Sequence, residues 1–256
     1  MGIKGLFQFL SKCEQRVFVT EAVQGKSVGL DMFWFIHQSK GDKTVIYNYI
    51  EPIIQHAKEV HCVWDGAPSS DTASIRKERE SKRQELMETI VQLDTVLTYQ
   101  MEQLTEENED VLYAYIEQLR KKVWKPSPDY IQSIKKWLKE RGCIQYQEKG
   151  QADEWLQELE REKKIELVIT NDSDLLTLGC ACVLRMYNCV EGGLYHAKYI
   201  YSSFHWTRQQ WKNFMMLCRN MKHPDILLAY SWISVYRDMD VISQKQMEWK
   251  NDISTV

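Results

Sequence analysis

The stretch Glu-Leu-Val-Ile-Thr-Asn-Asp-Ser-Asp at residues 166–174 decides the fold of this chain. Its first five residues are mostly apolar or β-branched and are followed by a polar turn, which predicts a buried strand. The runs SVGLD at 27–31 and EVHCVWD at 59–65 have the same form, and each ends in an aspartate. The sequence therefore predicts three buried strands with acidic residues at their carboxyl ends.

Segments with helical spacing lie between these runs, at about 45–56, 130–141 and 152–163. Further short strands are predicted at 143–147 and 182–187. Strands that alternate with helices predict an α/β fold, with a mainly parallel twisted sheet and helices on both faces. Ligands of such sheets bind at the carboxyl ends of the strands, which is where the acidic residues fall.

Four aspartates follow the three main strands: Asp31, Asp65, Asp172 and Asp174. A lone aspartate in this position is commonly a turn former or a helix N-cap, and that interpretation stays open for each. Three strands that end this way favour a shared pocket, where like charges repel unless cations are bound. Because Mg²⁺ prefers carboxylate oxygens, the pattern predicts a magnesium site able to support phosphodiester hydrolysis.

Two further acids, Asp153 and Glu154, open the helix predicted after the 143–147 strand. Acids in a first helical turn commonly interact with the helix dipole, which is one interpretation of this pair. The other interpretation adds Asp153 and Glu154 to the metal site, because they lie just past a strand end.

Composition limits the remaining possibilities. The 256 residues include 44% hydrophobic ones and carry a net charge of −3, so any nucleic-acid binding must rest on local basic patches. The seven cysteines are odd in number, widely spaced and follow no signal peptide. This predicts reduced thiols in an intracellular, unsecreted protein, without distinguishing nucleus from cytoplasm. No apolar run approaches the ~20 residues of a membrane span, so no membrane partner is expected.

Four motifs in order along the chain resemble those of the flap-endonuclease/XPG-type nucleases: MGIKGL at 1–6, VGLD at 28–31, VWDGAP at 63–68 and VITNDSDLLTLG at 168–179. The resemblance implies a PIN-like α/β fold, with residues 1–190 as the nuclease core and about 74–125 as a helical gateway and cap insertion. Residues 191–256 would form a divergent helical C-terminal region. It also implies cleavage of branched or 5′-ended DNA with two Mg²⁺ ions, for which Mn²⁺ can substitute.

The resemblance also implies which carboxylates perform the chemistry. The expected catalytic and metal-binding aspartates are Asp31, Asp65, Asp153, Asp172 and Asp174, with Glu154 and Asp225 as further metal ligands.

Basic residues of the gateway are expected to hold the nucleic acid. Arg79 aligns with an arginine that holds the scissile phosphate, and a guanidinium suits bidentate phosphate contact. His37 lies where the family often has a tyrosine that stacks on a base, and a buried or helix-surface histidine is the alternative. The expected nucleic-acid contacts are Gly2, His37, Arg76, Lys77, Arg79, Lys82, Arg83, Arg120, Lys121 and Lys122.

Three departures from the family pattern bear on activity. Gln151 stands where the family usually has an acid, and Thr72 lies near the position of the gateway lysine. The carboxyl-terminal third lacks the glycine-rich turns of the family's potassium-dependent duplex-binding element.

The expected function is a Mg²⁺-dependent structure-specific 5′ nuclease acting on branched or 5′-flap DNA. Three alternatives stay open: an RNA-cleaving nuclease of the same fold, a PIN-like ribonuclease unrelated to flap processing, and a catalytically impaired nucleic-acid-binding scaffold. No clamp-binding motif is evident in the sequence, and the oligomeric state is not predicted.

Overall fold

The structure is a computed structural model that describes residues 3, 5–66, 73–99, 106–147, 150–220, 226–237 and 242, the side chains at 73–76, 106–107 and 219–220 excepted. Among the described residues, no helix combines the length and the apolar character that crossing a bilayer requires. Each of the seven cysteines is a free thiol.

The described strands form one seven-stranded sheet. They are β1 (Gln15–Phe18), β2 (Ser27–Asp31), β3 (Glu59–Val63), β4 (Ile144–Tyr146), β5 (Leu167–Ile169), β6 (Cys182–Met186) and β7 (Glu191–His196). Their order across the sheet is β1-β7-β6-β5-β2-β3-β4. The five strands from β6 to β4 pair in parallel, and β7 runs antiparallel to both β6 and β1. The predicted mainly parallel α/β sheet is therefore confirmed.

The described helices fill the connections between the strands. They are α1 (Leu6–Phe9), α2 (Val19–Val23), α3 (Met32–Ser39), α4 (Lys43–His56), α5 (Ala73–Tyr99), α6 (Glu106–Val123), α7 (Pro128–Glu140), α8 (Ala152–Arg161), α9 (Asp174–Leu178), α10 (Ala197–Ser203), α11 (Arg208–Asn220) and α12 (Ile226–Tyr236), with a 3₁₀ turn at Leu10–Cys13.

Helices cover both faces of the sheet, as the sequence predicts. Side chains alternate between the two faces along each strand. Val63 and Val168 therefore enter a core formed with α8, α9 and the C-terminal helices. Cys62 and Ile169 enter a second core, formed with α3, α4 and α7. The sheet is thus anchored on both sides, which fixes the positions of the strand ends.

The helices α5 and α6 form a long hairpin that is inserted between β3 and α7. Its own small core consists of Ile90, Leu97, Ile116 and Leu119. Two helices were predicted across this region with a break near residues 105–108, and the structure places the described helices at Ala73–Tyr99 and Glu106–Val123. This helical hairpin follows directly on the strand that leads to Asp65.

Two strands of the sheet were missed by the sequence analysis. These are β1 and β7, which form the antiparallel edge of the sheet. Because β7 occupies Glu191–His196, the sheet continues past residue 190, where the boundary of the core was placed. The side chains of Trp211 and Phe214 on α11 also pack in the same core as α8.

Candidate active site

Asp31 is the last residue of β2 and lies at the carboxyl edge of the sheet. Its side chain is buried, and its Oδ2 accepts a hydrogen bond of 2.9 Å from Thr170 Oγ1. This contact forms because β2 and β5 are parallel neighbours, with Leu30 opposite Ile169, so the residues that follow in register meet.

The turn after β5 presents two more aspartates. The amide of Asp172 donates to Thr170 Oγ1 at 3.0 Å, and the amide of Asp174 donates to Asp172 Oδ1 at 3.0 Å. These local bonds fold the chain tightly after the strand, in the way short polar side chains stabilise turns. Asp172 and Asp174 are therefore held side by side.

Asp65, just past β3, joins a neighbouring element to the site. Its Oδ1 accepts from the amide of Ala152 at 2.8 Å, at the first residue of α8. Gln151, the N-cap residue of α8, makes no side-chain cap, so the carboxylate of Asp65 performs that role. Asp65 thereby fixes the start of the helix that carries Asp153.

Three carboxylates converge as a result. Ligand oxygens of Asp153, Asp172 and Asp174 all lie within 4.8 Å of one another, and these three residues are called the carboxylate cluster below. Asp31 lies beside it, close enough to both Asp65 and Asp172 for their charges to act on its own carboxylate. Five of the predicted site aspartates thus gather at one edge of the sheet.

The electrostatics of this group disfavour negative charge. Burial raises the pKa of Asp31 to about 6, and the charges of Asp65 and Asp172 act in the same direction. The hydrogen bond from Thr170 acts in the opposite direction. Burial and the charges of Asp31, Asp172 and Asp174 raise the pKa of Asp153 to about 8. Crowded carboxylates without a counter-charge are unfavourable, and a bound cation removes the penalty.

The donor set fits a hard divalent cation. All donors in the cluster are carboxylate oxygens, with no sulfur or imidazole among its three residues. Mg²⁺ and Mn²⁺ take such oxygens, and soft metals prefer thiolates. The predicted use of a divalent metal is therefore supported by the chemistry of this cluster.

Some predicted ligands do not join the cluster. Glu154 is exposed, and its Oε2 lies 3.3 Å from where a Cβ on Gly150 would stand. It is not among the three residues whose oxygens converge. Asp225 and Gly2 lie outside the described residues.

An aromatic and basic rim borders the site. His37 is exposed on α3, with its ring 6.3 Å from that of Phe33 and 6.5 Å, edge-on, from that of Trp124. Gly41, at φ +97°, admits this tryptophan, because a Cβ there would stand 2.9 Å from Trp124 Nε1. Partial burial and the charges of Lys40 and Arg79 lower the pKa of His37. The charge of Arg79 therefore acts at the predicted stacking position.

Other predicted contacts have partners within the helical hairpin. Arg83 donates from Nε to the carbonyl of Val123 at 2.8 Å and pairs with Glu80. Arg120 pairs with Asp94 and with Glu117. Both arginines thus hold α5 and α6 together, and their assignment as nucleic-acid contacts stays a prediction.

The predicted lysine contacts lie on the same hairpin. Lys82 pairs with Glu78 at 2.6 Å, whereas Lys77, Lys121 and Lys122 are exposed. The side chain of Arg76 and all of Thr72 lie outside what the structure describes.

Thr170 is a site residue that sequence reasoning missed. Its buried hydroxyl donates to Asp31 and accepts from the amide of Asp172, so it connects the ends of two strands. The sequence offered one signal, a threonine as the last β-branched residue before the acidic turn. Its two partners lie in different elements, so only the strand register shows the connection.

We expect Thr170→Val to weaken Mg²⁺ or Mn²⁺ binding about 10- to 100-fold, because groups that orient metal ligands have effects of this size. Valine keeps the shape of the side chain but removes the hydroxyl. Thr170→Ser is the matched control, and it should retain most of the affinity. Isothermal titration calorimetry with each metal measures the effect, and equal affinities for the valine and serine variants would refute the positioning role.

The fold and the cluster together define the kind of site. A mainly parallel sheet with carboxylates gathered at the carboxyl ends of β2, β3 and β5 can hold hard divalent cations, and such ions can support phosphodiester hydrolysis.

Comparison with known proteins shows which family model, relative and structures this chain resembles. The family model described as the XPG I-region matches residues 145–220, which include Asp153, Asp172 and Asp174. The match confirms that the chain resembles the XPG/FEN type, as its motifs indicate.

Exonuclease 1 of Xenopus laevis is 26% identical over 214 residues. That match covers 76% of this chain and 26% of the relative, so the chain spans about a quarter of the length of that protein.

Solved structures support the fold. The catalytic core of Rad2 in complex with DNA substrate has a TM-score of 0.67 at 13% identity, covering 98% of this chain and 75% of that one. Human GEN1 in complex with Holliday junction DNA has a TM-score of 0.62 at 13% identity, covering 99% and 61%. Flap endonuclease-1 from Methanococcus jannaschii has a TM-score of 0.59 at 13% identity, covering 95% and 80%.

Proposed function

We propose that this chain hydrolyses phosphodiester bonds in branched or 5′-ended DNA, with two divalent metal ions held at the carboxylate cluster. The observation that carries the proposal is the convergence of Asp153, Asp172 and Asp174 within 4.8 Å, beside the buried Asp31. The likeness to the structures of Rad2 and GEN1, both in complex with DNA, supports DNA as the substrate.

The side chains of the site would divide the work. Ions held by the carboxylate cluster would supply an activated water and would neutralise charge on the leaving oxygen. Asp31 and Asp153 would release their protons when cations bind, because their pKa values are raised in the metal-free site. Asp65 and Thr170 would hold the ligands in place through Ala152 and Asp172.

The rim would position the substrate. Arg79 would contact the scissile phosphate through its guanidinium, and the ring of His37 would stack on the base beside it. In support, Arg79 is near enough for its charge to act on His37. The helical hairpin is the next described element along the chain after β3, and an unpaired strand reaching the metals would pass beside it. An unpaired end reaches the cluster more readily than a base-paired one, since unpairing costs a few kcal/mol.

A substrate panel tests the proposal. Labelled 5′-flap DNA, a DNA hairpin and single-stranded RNA are incubated with the protein in Mg²⁺ and in EDTA. The proposal expects product from the flap substrate in Mg²⁺ and none in EDTA. Faster cutting of the RNA would favour the RNA nuclease instead, and binding without product in any arm would favour the scaffold that Gln151 suggested.

We expect Arg79→Ala to lower the cleavage rate about 10²- to 10³-fold, the usual effect of removing one group that stabilises transition-state charge. The matched control is Arg161→Ala, which removes an exposed arginine at the far end of α8. Single-turnover kinetics at saturating protein separates this loss from weaker binding. An Arg79 variant as fast as the Arg161 variant would exclude the phosphate role.

A further inference from the structure

A groove with a positive lining lies beside the edge strand β4, outside the site described above. It is a cavity of about 450 Å³ between α7 and β4. The residues that line it are Gln132, Lys135, Lys136, Lys139, Cys143 and Gln145.

The lysines of the groove form one stripe on α7. Positions 132, 135, 136 and 139 are spaced i, i+3, i+4 and i+7, so their side chains share a helix face. The opposite face of α7 carries Ile134 and Leu138, which are buried in the core. Lys135, Lys136 and Lys139 are called the lysine stripe below.

The stripe is an unfavourable arrangement for an isolated helix. Like charges spaced i, i+3 or i, i+4 destabilise a helix by a few tenths of a kcal/mol per pair. The acid that the structure pairs with the stripe is Glu140, at 4.0 Å from Lys136 Nζ, and that lysine is 79% exposed. The stripe therefore keeps a positive surplus that suits a polyanion.

The groove borders the segment that leads to Asp65 of the candidate active site. Lys135 Nζ lies 4.8 Å from the centre of the Trp64 ring and bonds to Gln147 Oε1. Trp64 is the residue immediately before Asp65. Since β2 and β3 separate β5 from β4, about 14 Å lies between the Asp172 turn and the groove, at the usual strand spacing.

We propose that the lysine stripe binds the phosphodiester backbone of the unpaired strand of the substrate, on the β4 side of the carboxylate cluster. The assignment rests on the proposed function for the position of the scissile phosphate. Phosphates a few nucleotides from the cut would then lie along Lys135, Lys136 and Lys139, next to β4. No base is read, because lysine contacts to phosphate carry no sequence information.

Fluorescence anisotropy with 5′-flap DNAs of short and long unpaired arms tests the proposal, with Ca²⁺ replacing Mg²⁺ in the buffer. The variant Lys135→Gln/Lys136→Gln/Lys139→Gln is expected to lose about 10- to 100-fold in affinity for the long-arm DNA and little for the short-arm DNA. The slope of log affinity against log salt should fall by about 2, since each single-strand phosphate contact contributes about 0.7.

A charge-matched control is available at the opposite edge of the sheet. Lys58, Lys163 and Lys198 are exposed near the amino ends of the parallel strands, and their triple change to glutamine should leave affinity within about twofold. Because Lys135 is partly buried, the double variant Lys136→Gln/Lys139→Gln is also measured, with an expected slope change of about 1.4.

The outcomes separate this proposal from the proposed function. Equal affinities and salt slopes for the stripe and control variants would overturn the proposal that the lysine stripe binds the unpaired strand. A wild-type protein that binds flap DNA without cutting it in Mg²⁺ would refute the nuclease, and the binding curves would still decide the stripe. Wild-type protein that binds neither DNA would overturn both.

Discussion

Asp172→Asn is expected to lower the rate of Mg²⁺-dependent cleavage by about 10³-fold or more while leaving the fold intact. The carboxylate of Asp172 lies within 4.8 Å of those of Asp153 and Asp174. Metal ions stabilise transition-state charge by several kcal/mol, and each 1.36 kcal/mol is a factor of about ten in rate.

The fold should survive this change for a local reason. Asparagine keeps an Oδ1 that can accept the bond from the amide of Asp174, now 3.0 Å long. Glu21→Gln, an exposed carboxylate on α2, is the control for the loss of one charge. Single-turnover cleavage of flap DNA measures both variants, and a nearly unchanged rate for Asp172→Asn would discard the mechanism.

Asp153→Asn is expected to stabilise the metal-free protein while destroying its activity. The pKa of Asp153 is about 8 in the folded chain against 3.8 for an ordinary aspartate, chiefly because the side chain is buried. Below about pH 4 the Asp153 carboxyl group is protonated in both the folded and the unfolded chain, so it does not affect stability. Between about pH 4 and pH 8 the group ionises in the unfolded chain while it stays protonated in the folded chain. The free energy of unfolding in EDTA therefore falls as the pH rises through this window. Asp31 lowers it further in the same way up to about pH 6.

The size of the effect follows from the pKa difference. Each pKa unit corresponds to about 1.4 kcal/mol, so the variant should gain on the order of a few kcal/mol at pH 8 and less at pH 5. For a chain of this size that is several degrees in Tm, at about 2–4 °C per kcal/mol. Thermal melts in EDTA at both pH values measure it. A variant that melts below wild type at pH 8 would show that the carboxylate is not under strain.

The stabilisation of the wild-type protein by Mg²⁺ should increase with pH, whereas the stability of the metal-free protein decreases. Cations compete with protons for Asp31 and Asp153, so the rise in Tm on adding Mg²⁺ should be larger at pH 8 than at pH 5. In Asp153→Asn most of that rise should disappear. A rise that is equal at both pH values would mean that the ion binds elsewhere.

The acidic strand ends were predictable because two simple rules coincide there. An apolar run followed by a polar turn identifies β2, β3 and β5, and parallel neighbours bring the residues after them to one edge. This was enough to predict that Asp31, Asp65 and Asp172 would approach one another. This prediction requires only that the strands are parallel neighbours. Their exact register, which the sequence does not show, is not needed.

The strand β7 of the antiparallel edge was missed because its composition is unusual for a strand. β7 contains Gly192 and Gly193, and glycine pairs favour turns over strands in sequence. Gly192 is required by close packing, since a Cβ there would stand 2.6 Å from the main-chain carbonyl oxygen of Arg185. Arg185 belongs to the neighbouring strand β6, so the pattern within β7 does not reveal this close approach.

The roles of individual polar groups were the least predictable part of the site. Asp65 caps α8 through Ala152, and Arg120 pairs across the hairpin with Asp94. Both are tertiary contacts: Arg120 and Asp94 are 26 residues apart in sequence, and Asp65 and Ala152 are 87 residues apart. Residue type and local spacing show which charges are present, and only the assembled elements show what each one contacts.

Counting bound Mn²⁺ by electron paramagnetic resonance tests the central claim most directly, because free Mn²⁺ gives the signal and bound Mn²⁺ does not. The wild-type chain and Glu21→Gln should each remove two equivalents of Mn²⁺ from solution. The double variant Asp153→Asn/Asp172→Asn should remove none at the same concentration. Equal Mn²⁺ uptake by the double variant and wild type would show that these carboxylates do not form the cation site.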